Sequence, residues 1–173
     1  MLLASEEDMD RRLTIVEVIG MAIRSEEDSA KFYGHISKMS ENEIVRAKYE
    51  ALAKEEVNHR VLLLGLFQKL SDGMDNPPRV PGEPETAEKG GQIDGSETLD
   101  DLLNLAIERE HKAAAFYQKA ADETRDVNSQ RILQYLASME RGHEELLRNE
   151  LAAFELDNDW YLKNPPELQH VGP

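Results

Sequence analysis

Apolar residues recur at alternating steps of three and four through two long proline-free stretches, 14–70 and 98–156. That is the period of helices burying one face. In the first stretch Thr14 is followed three residues on by Glu17, and Ser40 by Glu43, two capping-box signatures that divide it into two helices. Thr98 with Asp101 opens a third helix, and the polar run from Asp122 to Asn128 turns the chain into a fourth. The pattern predicts an all-α protein with helices over about 14–39, 41–70, 98–122 and 127–156, each roughly 40 Å long. Residues 71–97 hold four Pro and five Gly and read as a connector rather than a helix or strand. Residues 157–173 turn polar and Pro-rich and read as a tail, with Trp160 and Tyr161 placed to dock on the body.

The two halves match at a constant offset of 84 positions: Ala22-Ile23 with Ala106-Ile107, Glu26 with Glu110, Phe32-Tyr33 with Phe116-Tyr117, Glu56 with Glu140, His59 with His143. No gap is needed, so the chain is a duplicated helical hairpin. Short turns make each hairpin antiparallel. The connector is long enough to run back along the body before the third helix starts, which predicts a single four-helix bundle with a long crossover between the second and third helices.

Glu-x-x-His occurs at Glu56/His59, Glu140/His143, Glu108/His111 and Glu167/His170. In so acidic a chain the bare motif says little; the helix face decides. On the second helix the inward stripe reads Tyr49, Leu52, Glu56, His59, Leu63, Leu66, and on the fourth Leu133, Leu136, Glu140, His143, Leu147. The first and third helices each place one Glu, Glu26 and Glu110, in an apolar seam. Glu108 instead has Asn104 and Lys112 on its face, and Glu167 follows Pro165-Pro166 in the tail. Those two copies read as decoys, and Glu27, Glu55, His35, His111 and His170 read as surface. Glu26 and Glu56 are symmetric about residue 41, Glu110 and Glu140 about residue 125, so each lies about 22 Å along its helix from a turn. Periodicity places the four carboxylates in the core, and symmetry independently places them at one level.

An unpaired buried charge costs several kcal/mol, and no Lys or Arg lies on these stripes near that level. Two divalent cations held by Glu26, Glu56, His59, Glu110, Glu140 and His143 would balance four carboxylates. Tyr33 and Tyr117 lie two turns beyond Glu26 and Glu110, where they serve either as hydrogen-bond partners of the ligands or as ordinary core. Gly142, between the ligands of the fourth helix, has no explanation in the pattern.

Composition narrows the chemistry. A net charge of −15 disfavours nucleic acid and anionic membranes as partners. The absence of cysteine excludes disulfides, thiolate nucleophiles and iron–sulfur centres, leaving oxygen and nitrogen ligands that suit iron or manganese. Neither a signal peptide nor an apolar run of membrane-spanning length is present, which predicts a cytoplasmic location.

One Glu on each of two helices and Glu-x-x-His on the other two is the di-iron carboxylate arrangement. In RSEEDSAKFY, ALAKEEVNHR, IEREHKAAAFY and LASMERGHEEL the chain resembles the rubrerythrin branch of the ferritin-like superfamily, across all four helices. The resemblance implies that Glu56 and Glu140 bridge two iron ions (manganese being the alternative), serving as the catalytic carboxylates, while Glu26 with His59 and Glu110 with His143 complete the ends. It implies reduction of hydrogen peroxide or dioxygen with electrons from an external donor. Ferroxidase activity in an iron-storage shell and a metal-clipped bundle without turnover are the alternatives. Two features depart from the family. The cysteine-rich rubredoxin domain that feeds electrons is missing, so the donor would be a separate molecule such as a rubredoxin-like protein, and the extra glutamate three residues after the third-helix ligand is replaced by Ala113. Self-association is common in this superfamily, and a homodimer is expected.

Overall fold

In the computed structural model, residues 13–39, 42–80 and 97–156 are described. Among them lie four helices: α1 Ile15–Met39, α2 Glu43–Leu70, α3 Leu99–Glu123 and α4 Val127–Leu156. Their starts follow local chemistry. Thr14 and Glu17 close a reciprocal pair, the Thr14 amide donating to Glu17 at 2.8 Å and the Glu17 amide to the Thr14 hydroxyl at 3.3 Å. Thr98 and Asp101 form the same box at α3, and the Asp126 carboxylate takes the Ser129 amide at the start of α4, at 2.7 Å. At α2 the cap differs from the expectation. Asn42 accepts from the amides of Ile44 and Val45, and the helix starts at Glu43, because an Asn side chain one residue before the helix reaches these free N–H groups directly. Ser40 lies outside the described residues, as do residues 81–96 of the connector and the tail with Trp160, Tyr161 and the Glu167/His170 pair.

The inward stripes form two apolar layers. One joins Ile19 and Ile23 near the start of α1 to Leu63 and Leu66 near the end of α2, Ala121 near the end of α3 and Leu133 and Leu136 near the start of α4. The other joins Phe32 and Ile36 of α1, Val45 and Tyr49 of α2, Leu102 and Leu103 of α3 and Leu147 of α4. Each fully buried Leu or Ile contributes about 1.5 to 3 kcal/mol of transfer free energy. The pairing fixes direction: α1 and α4 run one way, α2 and α3 the other, so the connector must travel the length of the bundle. Its beginning is held against α1. A β-carbon on Gly20 would sit 3.0 Å from Pro77 Cβ and 3.1 Å from the Pro78 carbonyl oxygen, and an Arg24 guanidinium N–H donates to that carbonyl at 3.1 Å. No helix among the described residues is long and apolar enough to cross a membrane.

Candidate metal centre

Between the two apolar layers the seams turn polar. Glu26 comes from α1, Glu56 and His59 from α2, Glu110 from α3, Glu140 and His143 from α4, and none is more than 5% exposed. The i, i+3 spacing stacks each Glu and His on one helix face, and the four helices bring the six side chains to one level. His59 Nδ1 lies 3.0 Å from Glu140 Oε1, 3.3 Å from Glu56 Oε2 and 3.8 Å from Glu26 Oε2. His143 Nδ1 lies 3.3 Å from Glu56 Oε1, 3.3 Å from Glu140 Oε2 and 3.7 Å from Glu110 Oε2. The imidazoles stack at 5.6 Å. Two sets result, Glu26, Glu56, His59, Glu140 and Glu56, Glu110, Glu140, His143, each offering ligand atoms within 4.8 Å of one another. Glu56 and Glu140 belong to both.

These approaches are close, but they lack hydrogen-bond geometry. Both Glu56 oxygens, Glu140 Oε1 and the Nδ1 atoms of both imidazoles are buried without a hydrogen-bond partner. Native interiors leave very few such atoms, and here five gather at one spot, as ligand atoms do around a cation. The residues fit a dinuclear centre, and a donor set of four carboxylates and two imidazoles suits iron or manganese.

The electrostatics sharpen this fit. Burial, reinforced by the Glu56 and Glu140 charges, holds the Glu26 and Glu110 carboxyls well above the ordinary carboxylate range. Burial pushes Glu56 and Glu140 upward too, but the adjacent imidazoles outweigh it and hold both below their ordinary value. Burial alone would lower the imidazoles, yet the surrounding carboxylates raise His59 to about 12 and His143 higher still. As side chains alone the shifts run toward neutrality: the imidazolium forms of His59 and His143 are favoured beside ionised Glu56 and Glu140, and the protonated forms of Glu26 and Glu110 are favoured by burial. Two divalent cations on four carboxylates and two neutral imidazoles reach the same sum by displacing four protons. Electroneutrality by itself thus does not demand metal, contrary to the sequence argument. What fits a metal pair is the convergence of unmatched donor atoms from Glu56, Glu140, His59 and His143.

The tyrosines cross between hairpins. Tyr33 of α1 donates its hydroxyl to Glu110 of α3, and Tyr117 of α3 donates to Glu26 of α1. Each serves the opposite helix, which spacing along one helix cannot reveal. Burial first, then the carboxylates, raises both phenols, so they remain protonated donors.

Sequence reasoning misplaced Glu55. It is half-buried, and its Oε2 lies 2.7 Å from His143 Nε2, so it is not a plain surface residue. The repeat did not pair it with a second glutamate, because position 139 in the second half is Met. Glu27 is partly exposed and paired with Lys31 at 2.8 Å, and His35 is exposed. His111 is exposed beside Glu144, and Glu108 pairs with Lys112. A second buried charge pair was also missed: Lys48 of α2 with Glu150 of α4. Their repeat partners, Ile132 and Leu66, supply a signal: charged residues where the other half has hydrocarbon.

The rubrerythrin family model matches residues 17–151. A hypothetical protein from Pyrococcus furiosus is 30% identical, with 91% of this chain and 94% of that chain covered and a TM-score of 0.65. Two solved bacterioferritins share the fold. That of Rhodobacter capsulatus, described with a metal-free dinuclear site and haem iron, is 19% identical, covers 91% and 96% of the two chains and has a TM-score of 0.73. BfrA of Mycobacterium tuberculosis is 18% identical, covers 93% and 95% and has a TM-score of 0.71. No curated protein matches the sequence. With the match running through all four helices and both halves of the cluster, the chain belongs to the rubrerythrin family.

Proposed function

We propose that the chain is a dinuclear iron or manganese oxidoreductase that reduces hydrogen peroxide, or dioxygen, with electrons from an external donor. The observation that carries this reading is the convergence of five orphaned donor atoms from Glu56, Glu140, His59 and His143 in two overlapping sets that share both central carboxylates. Glu56 and Glu140 would bridge, Glu26 with His59 would close one end, and Glu110 with His143 the other. When bound, such a metal pair supplies two electrons together to an O–O bond, in the balance H2O2 + 2 H⁺ + 2 e⁻ → 2 H2O.

The protein's part is placement and protection. The apolar layers above and below exclude bulk water and lower the local dielectric, which strengthens every charge interaction within. The Tyr33 and Tyr117 hydroxyls fix the terminal carboxylates in orientation and keep a proton beside each. None of the 173 residues is a cysteine that could hold a rubredoxin-type iron, and the proposed donor is a separate reductant such as a rubredoxin-like protein. Cytoplasmic location and a homodimer complete the proposal, with neither nucleic acid nor membrane as partner.

The likeness to bacterioferritins favours a second reading, a ferroxidase subunit of a storage shell. Anaerobic loading with ferrous iron distinguishes the two. The oxidoreductase takes up about two ions per chain, consumes about one peroxide per pair, and has the native mass of a small oligomer. Glu56→Ala, which removes a ligand common to both positions, drops metal to below about one per chain. A cage-sized mass with accumulating ferric mineral would favour storage. A loaded, reduced protein that leaves peroxide untouched would end the oxidoreductase reading, and wild-type metal content in Glu56→Ala would end the dinuclear one.

A further inference from the structure

The cluster repeats almost perfectly between the two halves: Glu26 and Glu110, Glu56 and Glu140, His59 and His143, Tyr33 and Tyr117 all correspond. The outer support of the imidazoles does not. His143 turns Nδ1 toward Glu56, Glu110 and Glu140 and Nε2 toward the Glu55 carboxylate at 2.7 Å. The position corresponding to Glu55 is Met139, whose thioether gives His59 no carboxylate oxygen.

A carboxylate accepting from one imidazole nitrogen does three things to the other. It fixes the tautomer that leaves the inward nitrogen unprotonated, it locks the ring's rotation, and it raises ligand basicity. Glu55 is suited to this because it reaches across from α2 to α4 and keeps one side toward solvent, its side chain 30% exposed against 6% for His143. It therefore bears a charge at low desolvation cost while acting on a buried ring.

We infer that the two metal positions are inequivalent: Glu55 is a positioning residue that makes the Glu110/His143 position the tighter one, filled first, while the Glu26/His59 position, where the repeat has Met139 in place of that glutamate, is weaker and filled second. This inference rests on the dinuclear reading above and adds to it an order of loading that the ligand set, being symmetric, does not contain.

The test is an anaerobic titration of the metal-stripped full-length protein with cobalt(II), followed by calorimetry and by its visible d–d absorption. The wild-type chain binds two equivalents in separate steps. His143→Ala removes the tighter step and His59→Ala the weaker one. Glu55→Gln, which is isosteric and checked for helix content by circular dichroism, weakens the first step by about 10- to 100-fold and leaves the second nearly where it was. Met139→Glu, a gain rather than a loss, tightens the weaker step toward the first. Two equal steps in the wild type, or unchanged steps in both Glu55→Gln and Met139→Glu, would overturn the inequivalence while leaving the dinuclear centre intact. Binding of less than one cobalt by the wild type leaves no steps to compare and sinks the dinuclear reading itself, taking the inference with it.

Discussion

Two places in this bundle bury carboxylates, and they solve the same problem differently. Between α2 and α4 the Glu150 carboxylate meets the Lys48 ammonium, and both are less than a tenth exposed. That balance is covalent to the chain and permanent. Four residues after Lys48 the α2 stripe passes Leu52, and four later reaches Glu56, where the balancing charges are protons on Glu26, Glu110, His59 and His143. Protons exchange, so cations can replace them. Burial of charge alone therefore does not mark a metal centre: the pair is closed, whereas Glu56, Glu140, His59 and His143 leave donor atoms unmatched.

The largest expected effect concerns the closed pair. Lys48→Met removes the ammonium beside Glu150 and should destabilise the protein by about 3 to 5 kcal/mol, read by urea or thermal unfolding. Adding Glu150→Leu should recover most of that loss, since the corresponding positions in the other half are already Ile132 and Leu66. Metal content should stay at its wild-type value in the double variant. A double variant that folds but loses metal would join the two regions into one network and break the distinction.

The open cluster should betray itself by the sign of its pH dependence. In the metal-stripped protein, Glu26 and Glu110 hold protons that the unfolded chain releases above its ordinary glutamate value of about 4.5, and His59 holds one up to about 12. Unfolding then releases protons, and their contribution falls as pH rises, from about 4.5 for the two carboxyls and from about 6.5 for the imidazole, by about 1.4 kcal/mol per pH unit for each such proton. Glu56 and Glu140, held low, act oppositely, and their contribution is lost as pH falls below that value. The contribution of the stripped cluster to stability is thus greatest near the ordinary glutamate range. With saturating divalent metal the folded state carries ionised carboxylates and neutral imidazoles, unfolding takes up protons, and stability rises between about pH 4.5 and 6.5. Melting temperatures at about pH 5 and 6, with chelator and with metal, should move in opposite directions. Parallel movement would mean that metal does not displace these protons.

Much of this was legible in sequence, because helical period and internal duplication are independent readings that converge on the same six residues. Period alone gave the faces of Glu56 and His59, and the symmetry of Glu26 and Glu56 about residue 41, and of Glu110 and Glu140 about residue 125, gave their level. What escaped was whatever departs from the repeat or acts between helices. Glu55 has Met139 as its counterpart, so comparing the halves hid it. The tyrosine hydroxyls reach across from α1 to α3, a distance that spacing along one helix does not encode. The α2 cap moved from Ser40 to Asn42 because several polar residues in the turn satisfy the same rule and only backbone geometry chooses among them.

The smallest effect tests where the two regions touch. Tyr33 donates to Glu110 and stacks on Tyr49 at 6.1 Å, and Tyr49, next in sequence to Lys48, has its phenol raised by burial and then by the Glu150 charge. Tyr33→Phe keeps the ring and removes only the hydroxyl. In the stripped protein Glu110 is protonated and the lost bond is an ordinary one, costing about 0.5 to 1.5 kcal/mol. In the loaded protein the carboxylate is ionised, the bond is charge-assisted, and the loss rises to about 1.5 to 3 kcal/mol. Measuring the same variant with and without metal therefore separates a tyrosine that serves the cluster from one that only fills the core. Equal losses in the two states would assign Tyr33 to packing with Tyr49 and the closed pair; a greater loss with metal would assign its hydroxyl to the open centre.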